Sequence, residues 1–470
     1  MQRMQPCRRG ATAGGISRRR VRWAAQGILA WALATAALLC WPGGARSQQL
    51  TMPGSAGSIS DPANAAFGSG SAGPGAATAQ NPNVSGIFNG YYQGVSKETP
   101  FRVPGFALAN DGASGSANFG EGFNLGETEV GLYGNIDPWW YASMVLSFAP
   151  ESGVNVEEAF IQSLALPFGF IAKAGRFHSS IGYMNVFHRH ADDFIDTPLV
   201  YTAFLDGQLA DDGLQVRWVA PTNFLLQLGG EFFNGGCETE GFPANGGSCS
   251  QVPPGKSPNN HGNGTRTQFI NLADDIGEGG SYLLGLSHVD TTASARTAND
   301  GTLSYTGANT VNILSAVYKW SPLGNTKYTQ LKLQAEVFTG DETGTYCLLD
   351  APGGTCKTTI DALGSKHITR SGYYAQAVLK FDERWKVGGR YSQVSTDKVK
   401  DPNAAGTDLD SRGITPNIAS AMLEYWPSEF SQFRLQYSQD NTLPKALGGT
   451  VNRYYLQYLI TLGAHAAHTY

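Results

Sequence analysis

Histidine and carboxylate side chains are concentrated in one stretch of the chain, between residues 178 and 196. His188 and His190 are one residue apart, and Asp192 and Asp193 follow directly. Imidazole and carboxylate groups suit zinc, so this stretch is a candidate metal site with His188 and His190 as ligands. The spacing defines no tetrahedral geometry by itself. A hydrogen-bonded loop that binds no metal therefore stays open as the alternative.

The six cysteines divide into two groups by position. Two lie in the first 47 residues, and the other four form two local pairs, Cys237 with Cys249 and Cys347 with Cys356. Each pair lies within one glycine-rich stretch, and in an oxidising compartment such pairs form disulfides, which is what we expect here. A zinc site made by these four cysteines is the alternative, although no Cys-x-x-Cys spacing is present.

The sequence offers little support for nucleophilic catalysis. His178-Ser179 and Ser287-His288 place a hydroxyl beside an imidazole, but neighbouring residues of a strand point to opposite faces of a sheet. No glycine-framed nucleophile is present. We therefore expect that the protein is not an enzyme. A net charge of -5 gives no reason to expect nucleic-acid binding.

The elements that carry these residues are predicted to be β-strands. Apolar and polar residues alternate in about sixteen segments between residues 84 and 463, each near the ~10 residues that a tilted membrane strand needs. In the last segment, Tyr454 and Leu456 fall on one face, while Arg453 and Gln457 fall on the other. The 59 glycines, 20 tyrosines and 23 phenylalanines also fit an all-β protein with aromatic girdles.

The connections between these segments alternate in length. Asp137-Pro138 and Pro427-Ser428 are typical of the short turns, and residues 290–309 and 340–370 are typical of the long loops. Short turns at one rim and long loops at the other are the pattern of outer-membrane barrels, in which the short turns are periplasmic. We therefore predict an all-β fold, a transmembrane antiparallel β-barrel of about sixteen strands.

The N-terminal region has the features of an export signal. An arginine-rich start precedes an apolar run over residues 24–41, and Ala45-Arg46-Ser47 fits a signal-peptidase cleavage pattern. We predict a signal peptide at residues 1–47, a disordered Gly/Ala/Ser-rich periplasmic tail at 48–83 and the barrel at 84–470. The expected location is the cell outer membrane.

The third long loop, at residues 177–210, is too apolar for a solvated outer loop. Phe187, Phe194 and Leu199 are among the side chains that need a packing surface. A sixteen-strand barrel is wide enough to need a constriction, so we expect this extracellular loop to fold into the lumen. The residues predicted to form the pore constriction are His178, Tyr183, His188, Arg189, His190, Asp192, Asp193 and Asp196.

Charged side chains of both signs are predicted on the lumen faces of the strands. A ladder of cations would favour anions, but acidic residues oppose it, so we do not expect strong anion selectivity. The predicted pore-lining residues are Lys173, Arg217, Glu231, Lys332, Glu336, Lys386, Arg390 and Arg434. Five tyrosines could line a path for sugars, but we prefer to assign them to the aromatic girdles at the membrane interfaces. They are Tyr141, Tyr183, Tyr201, Tyr374 and Tyr455.

A more specific signal lies in GRFHSSIGYMNVFHRHADDFIDTPLVYTAFLDGQLADDGLQVRWVAPT (residues 175–222), which is preceded by Val156-Glu157-Glu158-Ala159-Phe160. It resembles a family of proteobacterial outer-membrane proteins often labelled hypothetical or "zinc-regulated TonB-dependent outer membrane receptor". That family is similar in architecture to the phosphate-selective porins O and P. The resemblance implies a porin-like barrel. The chain departs from a receptor because no plug domain and no coupling box are visible.

The combined expectation is a porin-like channel for passive diffusion of small hydrophilic solutes or ions, with a link to zinc left open. The alternatives are a TonB-linked receptor-like metal-uptake protein and a non-conducting structural or adhesin barrel. No cofactor is expected, unless zinc is one. The expected partners are outer-membrane lipid and lipopolysaccharide, the barrel assembly machinery acting on the C-terminal strand, small solutes, and further copies of the chain in a homotrimer.

Overall fold

The structure is a computed structural model of the chain. The predicted signal peptide lies outside the residues that it describes, as does nearly all of the predicted tail. The described residues are 82–98, 101–107, 121–126, 128–149, 153–235, 264–298, 302–351, 355–360, 367–399, 401–445 and 448–463.

Eighteen strand segments are present among the described residues, and every paired segment runs antiparallel to its partner. The strands are β1 (Asn83–Val95), β2 (Gly122–Leu125), β3 (Thr128–Asn135), β4 (Trp140–Ala149), β5 (Gly153–Ser163), β6 (Phe170–His178), β7 (Ala210–Val219), β8 (Leu225–Phe233), β9 (Thr265–Ile276), β10 (Gly280–Ala298), β11 (Leu303–Trp320), β12 (Gln330–Leu349), β13 (Cys356–Ile360), β14 (His367–Asp382), β15 (Trp385–Thr396), β16 (Asn417–Ser428), β17 (Ser431–Asp440) and β18 (Val451–Gly463).

These segments form one closed barrel of sixteen strand positions. β2 and β3 share one position beside β1, and β13 and β14 share one position beside β12. The barrel closes where β1 pairs with β18, from Ser85 opposite Gly463 to Val95 opposite Arg453. Closure leaves no sheet edge unpaired, which a strand in lipid requires. The predicted all-β barrel is confirmed.

The barrel turns its apolar face outward. Along β18, Tyr454 and Leu456 are about half exposed, while Arg453 and Gln457 are buried on the inner side. Large aromatic side chains such as Trp139 and Phe168 are exposed beside the short turns. An apolar outer wall with aromatic residues near its rim fits a lipid bilayer, so the barrel is an outer-membrane barrel, as predicted.

Strands β10, β11 and β12 extend further than predicted, into residues that the sequence assigns to long loops. β10 and β11 pair from Gly280–Trp320 to Ala298–Leu303, so most of the predicted loop at residues 290–309 is strand. Tyr305 on β11 faces Tyr346 on β12, with ring centroids 4.7 Å apart. The prediction was wrong here because these extensions are rich in Thr, Asn and Gly, a composition typical of loops, and cross-strand contacts outweigh it.

The extension of β12 also changes the setting of one cysteine pair. Cys347 lies near the end of β12 and forms a disulfide with Cys356 of β13, their Cα atoms 5.6 Å apart. The bond therefore joins two paired strands. Cys237 and Cys249 lie outside the described residues, so their pairing stays a prediction.

Within the described part of the chain, the single α-helix, α1 (Leu199–Leu205), lies in the connection between β6 and β7. All seven of its residues are buried, and it ends at Asp206, which adopts the left-handed conformation. No helix in the described ranges is long and apolar enough to cross a bilayer.

The largest apolar cluster fills the lumen on the side of the long loops. Phe204 of α1 packs against Phe338 of β12 and against Phe106, with ring centroids 5.5 and 5.6 Å apart. Leu409, from the connection after β15, is fully buried in the same cluster. Three separate loop segments therefore meet inside the long-loop half of the barrel.

The outward orientation of β18 can be tested with Leu456. Replacing it by arginine places a charge on the lipid face, which costs about 2–4 kcal/mol at the membrane midplane and less near its surfaces. We expect Leu456→Arg to lower the free energy of unfolding in lipid vesicles, measured by urea titration, and Leu456→Ala to lower it less. Equal losses for the two variants would place Leu456 away from lipid.

Candidate pore constriction

The connection from β6 to β7, residues 179–209, lies inside the barrel and is called the lumen loop here. It leaves the wall at His178 and returns at Ala210, which is paired with His178. Ile181, Phe194 and Leu205 are at most 1% exposed. Helix α1 contacts β12, β14 and β15, on the opposite side of the barrel. The predicted inward fold of the third loop is confirmed.

Glu336 is the main polar attachment point of the lumen loop on the far wall. Its carboxylate accepts hydrogen bonds from the Tyr183 backbone N–H at 2.7 Å and from the Tyr201 hydroxyl at 2.8 Å. Two wall residues, Tyr374 and Ser315, each donate a further hydrogen bond at 2.6 Å. Hydrogen bonds to a carboxylate are about twice as strong as neutral ones, so Glu336 holds the loop firmly.

The structure corrects the girdle assignment for all five tyrosines. Tyr141, Tyr201, Tyr374 and Tyr455 are 0–3% exposed and belong to the interior, and Tyr183 lies in the lumen loop, partly buried. The prediction failed because a tyrosine suits a lipid interface and a polar interior equally well.

The acidic part of the lumen loop pairs with basic residues of the same wall. Asp193 lies 2.5 Å from Lys332 of β12, and Asp196 forms an ion pair with Arg390 of β15. The Arg390 guanidinium also lies 4.5 Å from the ring centroid of Phe194. A cation above an aromatic face adds to the attraction, so Arg390 holds the loop in two ways.

Arg434 of β17 makes a third basic attachment. It donates to the Asp192 backbone carbonyl at 2.8 Å and forms an ion pair with Glu424 at 2.9 Å. Beside it, Gln436 accepts a hydrogen bond from the Ile195 backbone N–H at 2.7 Å. The loop is therefore pinned across β12, β15 and β17.

The histidines of the lumen loop face the other way, toward β3 and β5. His188 Nδ1 lies 2.9 Å from Glu157 Oε2, and its Nε2 lies 3.3 Å from Glu158 Oε2. His190 Nδ1 lies 2.7 Å from Glu129 Oε1. All five side chains are at least 93% buried.

This arrangement divides the stretch of histidines and aspartates that the sequence singles out. A 3₁₀ turn at Arg189–Ala191 lies between the histidines and the aspartates. Asp192 and Asp193 lie with the basic wall, away from His188 and His190, and zinc binding by the two histidines stays a prediction. Only His188 and His190 stay together, and His178 joins them, its ring centroid 4.9 Å from that of His188.

A β-bulge explains why two consecutive glutamates enter the lumen. Val145 pairs with Glu158, but the next residue, Leu146, pairs with Val156, which leaves Glu157 as the extra residue of β5. A bulge re-aims one side chain, so both carboxylates face inward. Strict alternation would put one of them in lipid, and for this reason sequence reasoning missed Glu158.

Burial and charge act differently on the loop residues. Burial would lower the pKa of His188, but the neighbouring Glu129, Glu157 and Glu158 carboxylates outweigh it and raise that pKa well above its ordinary value. Burial and the charge of His188 lower the pKa of His190. Burial, with repulsion from Asp193, raises the pKa of Asp192 to about 8.

All eight predicted pore-lining residues lie on the inner side of the barrel. Glu231 accepts hydrogen bonds from Ser179, from the Ser180 backbone N–H at 2.8 Å and from Gln215 at 2.7 Å, so it fixes the start of the lumen loop. The side chains of Lys332 and Lys386 are 22% and 16% exposed. The other six are at most 5% exposed: Lys173, Arg217, Glu231, Glu336, Arg390 and Arg434.

A cavity of about 110 Å³ lies beside the lumen loop on the side of the short turns. Tyr183 and Phe187 of the loop contribute to its lining. Its charged lining residues are Asp192, Asp193 and Glu424 against Lys319, Lys332, Lys380, Lys386 and Arg434. Cations therefore outnumber carboxylates where the loop narrows the barrel.

A closed sixteen-strand barrel with a loop folded into its lumen defines the porin-like class of outer-membrane proteins. The structure of OprB from Pseudomonas putida has 11% sequence identity to this chain and a TM-score of 0.50. The alignment covers 81% of this chain and 94% of OprB. The anion-selective porin from Comamonas acidovorans has 10% sequence identity and also a TM-score of 0.50, and the alignment covers 81% of this chain and 99% of the porin. These similarities show the fold.

The relationship by sequence is narrower. No family model matches the chain. An uncharacterized protein of Aquifex aeolicus (strain VF5) is 30% identical over 407 residues, which cover 83% of this chain and 80% of that protein. The chain belongs to the same family as this Aquifex protein. The zinc-regulated receptor label that the sequence suggested stays a prediction.

The docking of the lumen loop can be tested at Gly182. Gly182 has a φ of +62°, and a Cβ there would lie 2.6 Å from Tyr201 Oη and 2.8 Å from Glu336 Oε1. We expect Gly182→Ala to lower the free energy of unfolding by about 1–3 kcal/mol, because overpacking has costs of this size. Urea titration in detergent measures this change.

Gly389→Ala on β15 is the matched control, since a Cβ at Gly389 meets nothing within 4 Å. Equal stability of the two alanine variants would mean that Gly182 is not packed against Tyr201 and Glu336.

Proposed function

We propose that the protein is an outer-membrane channel for passive diffusion of small hydrophilic solutes or ions, with the lumen loop as its constriction. The observation that carries this proposal is the attachment of the loop to both sides of the barrel. Glu336 and Arg390 hold it on one side, and Glu157 and Glu231 hold it on the other. A loop fixed at both sides sets the width of the path.

The charges at the constriction support a modest preference for small anions at neutral pH. The cavity beside the loop has five basic side chains against three carboxyl groups. The raised pKa of Asp192 leaves that carboxyl largely protonated at pH 7. A few charges at a narrow point decide which ions pass, so the net positive lining favours anions. The Comamonas porin with the same fold is described as anion-selective.

A non-conducting structural barrel is the second candidate function. It is favoured by the apolar cluster of α1, Phe106 and Leu409 that fills the long-loop half of the lumen. The two functions differ in one measurable property, the conductance of the purified barrel.

Removing residues 184–205 tests the constriction. The deletion takes out α1 and the contacts at Asp193 and Asp196, so a wider path is left. We expect a severalfold larger single-channel conductance in planar bilayers and a weaker ion preference, because a sixteen-strand barrel without an inward loop leaves an aqueous channel.

Each other outcome rejects a part of the proposal. If the full-length protein does not conduct while the deletion variant does, the lumen of the full-length barrel is closed. Unchanged conductance and ion preference after the deletion would show that the lumen loop is not the constriction. Heat-modifiable gel migration checks that both proteins are folded.

The pKa of Asp192 predicts a pH dependence of ion preference. A raised pKa keeps the carboxyl neutral below about pH 8, and a negative charge appears above it. Asp193, Lys332, Arg390 and Arg189 also act on this group. We expect the anion-to-cation permeability ratio, from reversal potentials in a salt gradient, to fall between pH 7 and pH 9.

Asp192→Asn should make this step smaller, since asparagine does not titrate, and should leave the pH 6 ratio close to that of the full-length protein. A step of the same size in Asp192→Asn would assign the titration to another group.

A further inference from the structure

His188 has the orientation of a metal ligand that is supported by a carboxylate. Its Nδ1 lies 2.9 Å from Glu157, while its Nε2 faces Glu158 Oε2 at 3.3 Å. A histidine that binds a metal commonly donates its other ring N–H to a carboxylate. Ligand atoms around a tetrahedral zinc ion, with bonds of about 2.0–2.1 Å, are also about 3.3 Å apart. The Nε2 of His188 and the Glu158 oxygen already have that separation.

His178 supplies a further donor at the same place. One ligand atom from each of Glu158, His178 and His188 lies within 4.8 Å of the other two. His178 is only 7% exposed, and its Nδ1 has no hydrogen-bond partner among the described residues. A buried polar atom without a partner is unfavourable, so such an atom is a reason to look for a missing ligand.

The charge balance points the same way. Glu129, Glu157 and Glu158 are at least 93% buried and surround His188, which contributes at most one positive charge. Lys173 adds electrostatic attraction to Glu158. Buried carboxylates need paired cations or a metal. A divalent ion that displaces the proton of His188 would add one net positive charge and place both of its charges at one point.

We propose that Glu158, His178 and His188 bind one divalent transition-metal ion, with Glu157 as the positioning residue that orients His188. Two imidazole nitrogens and one carboxylate oxygen suit Zn²⁺ or Co²⁺, whereas Ca²⁺ and Mg²⁺ prefer oxygen ligands throughout. This ligand set replaces the pair of His188 and His190 predicted from the sequence. Because His188 belongs to the lumen loop and the other two ligands to β5 and β6, the ion would fasten the loop to the wall.

Zinc binding by the full-length barrel in detergent tests the proposal. Equilibrium dialysis with Zn²⁺ measures stoichiometry and affinity, and the visible spectrum with Co²⁺ reports the coordination. We expect one ion per chain, and a loss of affinity of at least about tenfold in His178→Ala, His188→Ala and Glu158→Gln. Glu157→Gln should weaken binding about 10–100-fold and keep the one-to-one stoichiometry. Ca²⁺ should not compete.

The control for histidine removal is His288→Ala, because His288 lies on β10 away from the cluster and contacts Asn312. It should bind zinc as the unchanged chain does. The midpoint of thermal unfolding should rise with zinc in the unchanged chain and in His288→Ala, since a ligand that binds only the folded state stabilises it. Heat-modifiable migration shows that each variant is folded before zinc is added.

Three results would overturn the proposal. Equal zinc binding by His178→Ala and the unchanged chain would place zinc elsewhere. Loss of binding in His190→Ala with full binding in His178→Ala would restore the ligand pair predicted from sequence. No zinc binding by the folded chain would identify the cluster as an ion-pair network only. None of these outcomes depends on whether the barrel conducts.

Discussion

The pairing of β1 with β18 is the constraint on which the rest of the structure depends. Lipid offers no hydrogen-bond partner to a strand edge, so the sheet must close on itself. The pairing runs over eleven residue pairs, from Ser85 to Val95, and joins the two ends of the described chain. Closure fixes one face of every strand toward lipid and the other toward the lumen. The alternation of the sequence is the direct result.

Sixteen strand positions enclose more space than wall side chains can fill, and the protein fills it with loops. Apolar side chains lie against the wall in the long-loop half of the barrel. They come from the lumen loop, the segment around Phe106 and the segment around Leu409. Polar atoms inside this packing must be satisfied, and Glu336 does so for two residues of the loop, Tyr183 and Tyr201. The loop is therefore a part of the core and not a surface addition.

The barrel could be predicted from the sequence because its signals are local: alternation, proline turns and loop lengths. Features that depend on pairing could not be predicted in this way. The extension of β11 through Tyr305 depends on its partner strand, and the inward turn of Glu158 depends on a bulge that only the register with β4 defines. The sequence predicts a functional site at His188 to Asp193, but its division between two walls depends on the 3₁₀ turn at Arg189–Ala191.

That division follows a charge pattern of the barrel itself. The wall of β3 and β5 presents buried carboxylates such as Glu129 and Glu158, and the histidines of the lumen loop face it. The wall of β12, β15 and β17 presents basic side chains, and the aspartates of the loop face it. The change from imidazoles at His188 and His190 to carboxylates at Asp193 and Asp196 thus matches a wall with buried carboxylates on one side and a wall with basic side chains on the other. In the proposed channel, a solute that passes the loop would cross the field between them, so the same pairing that holds the loop would also shape the path past it.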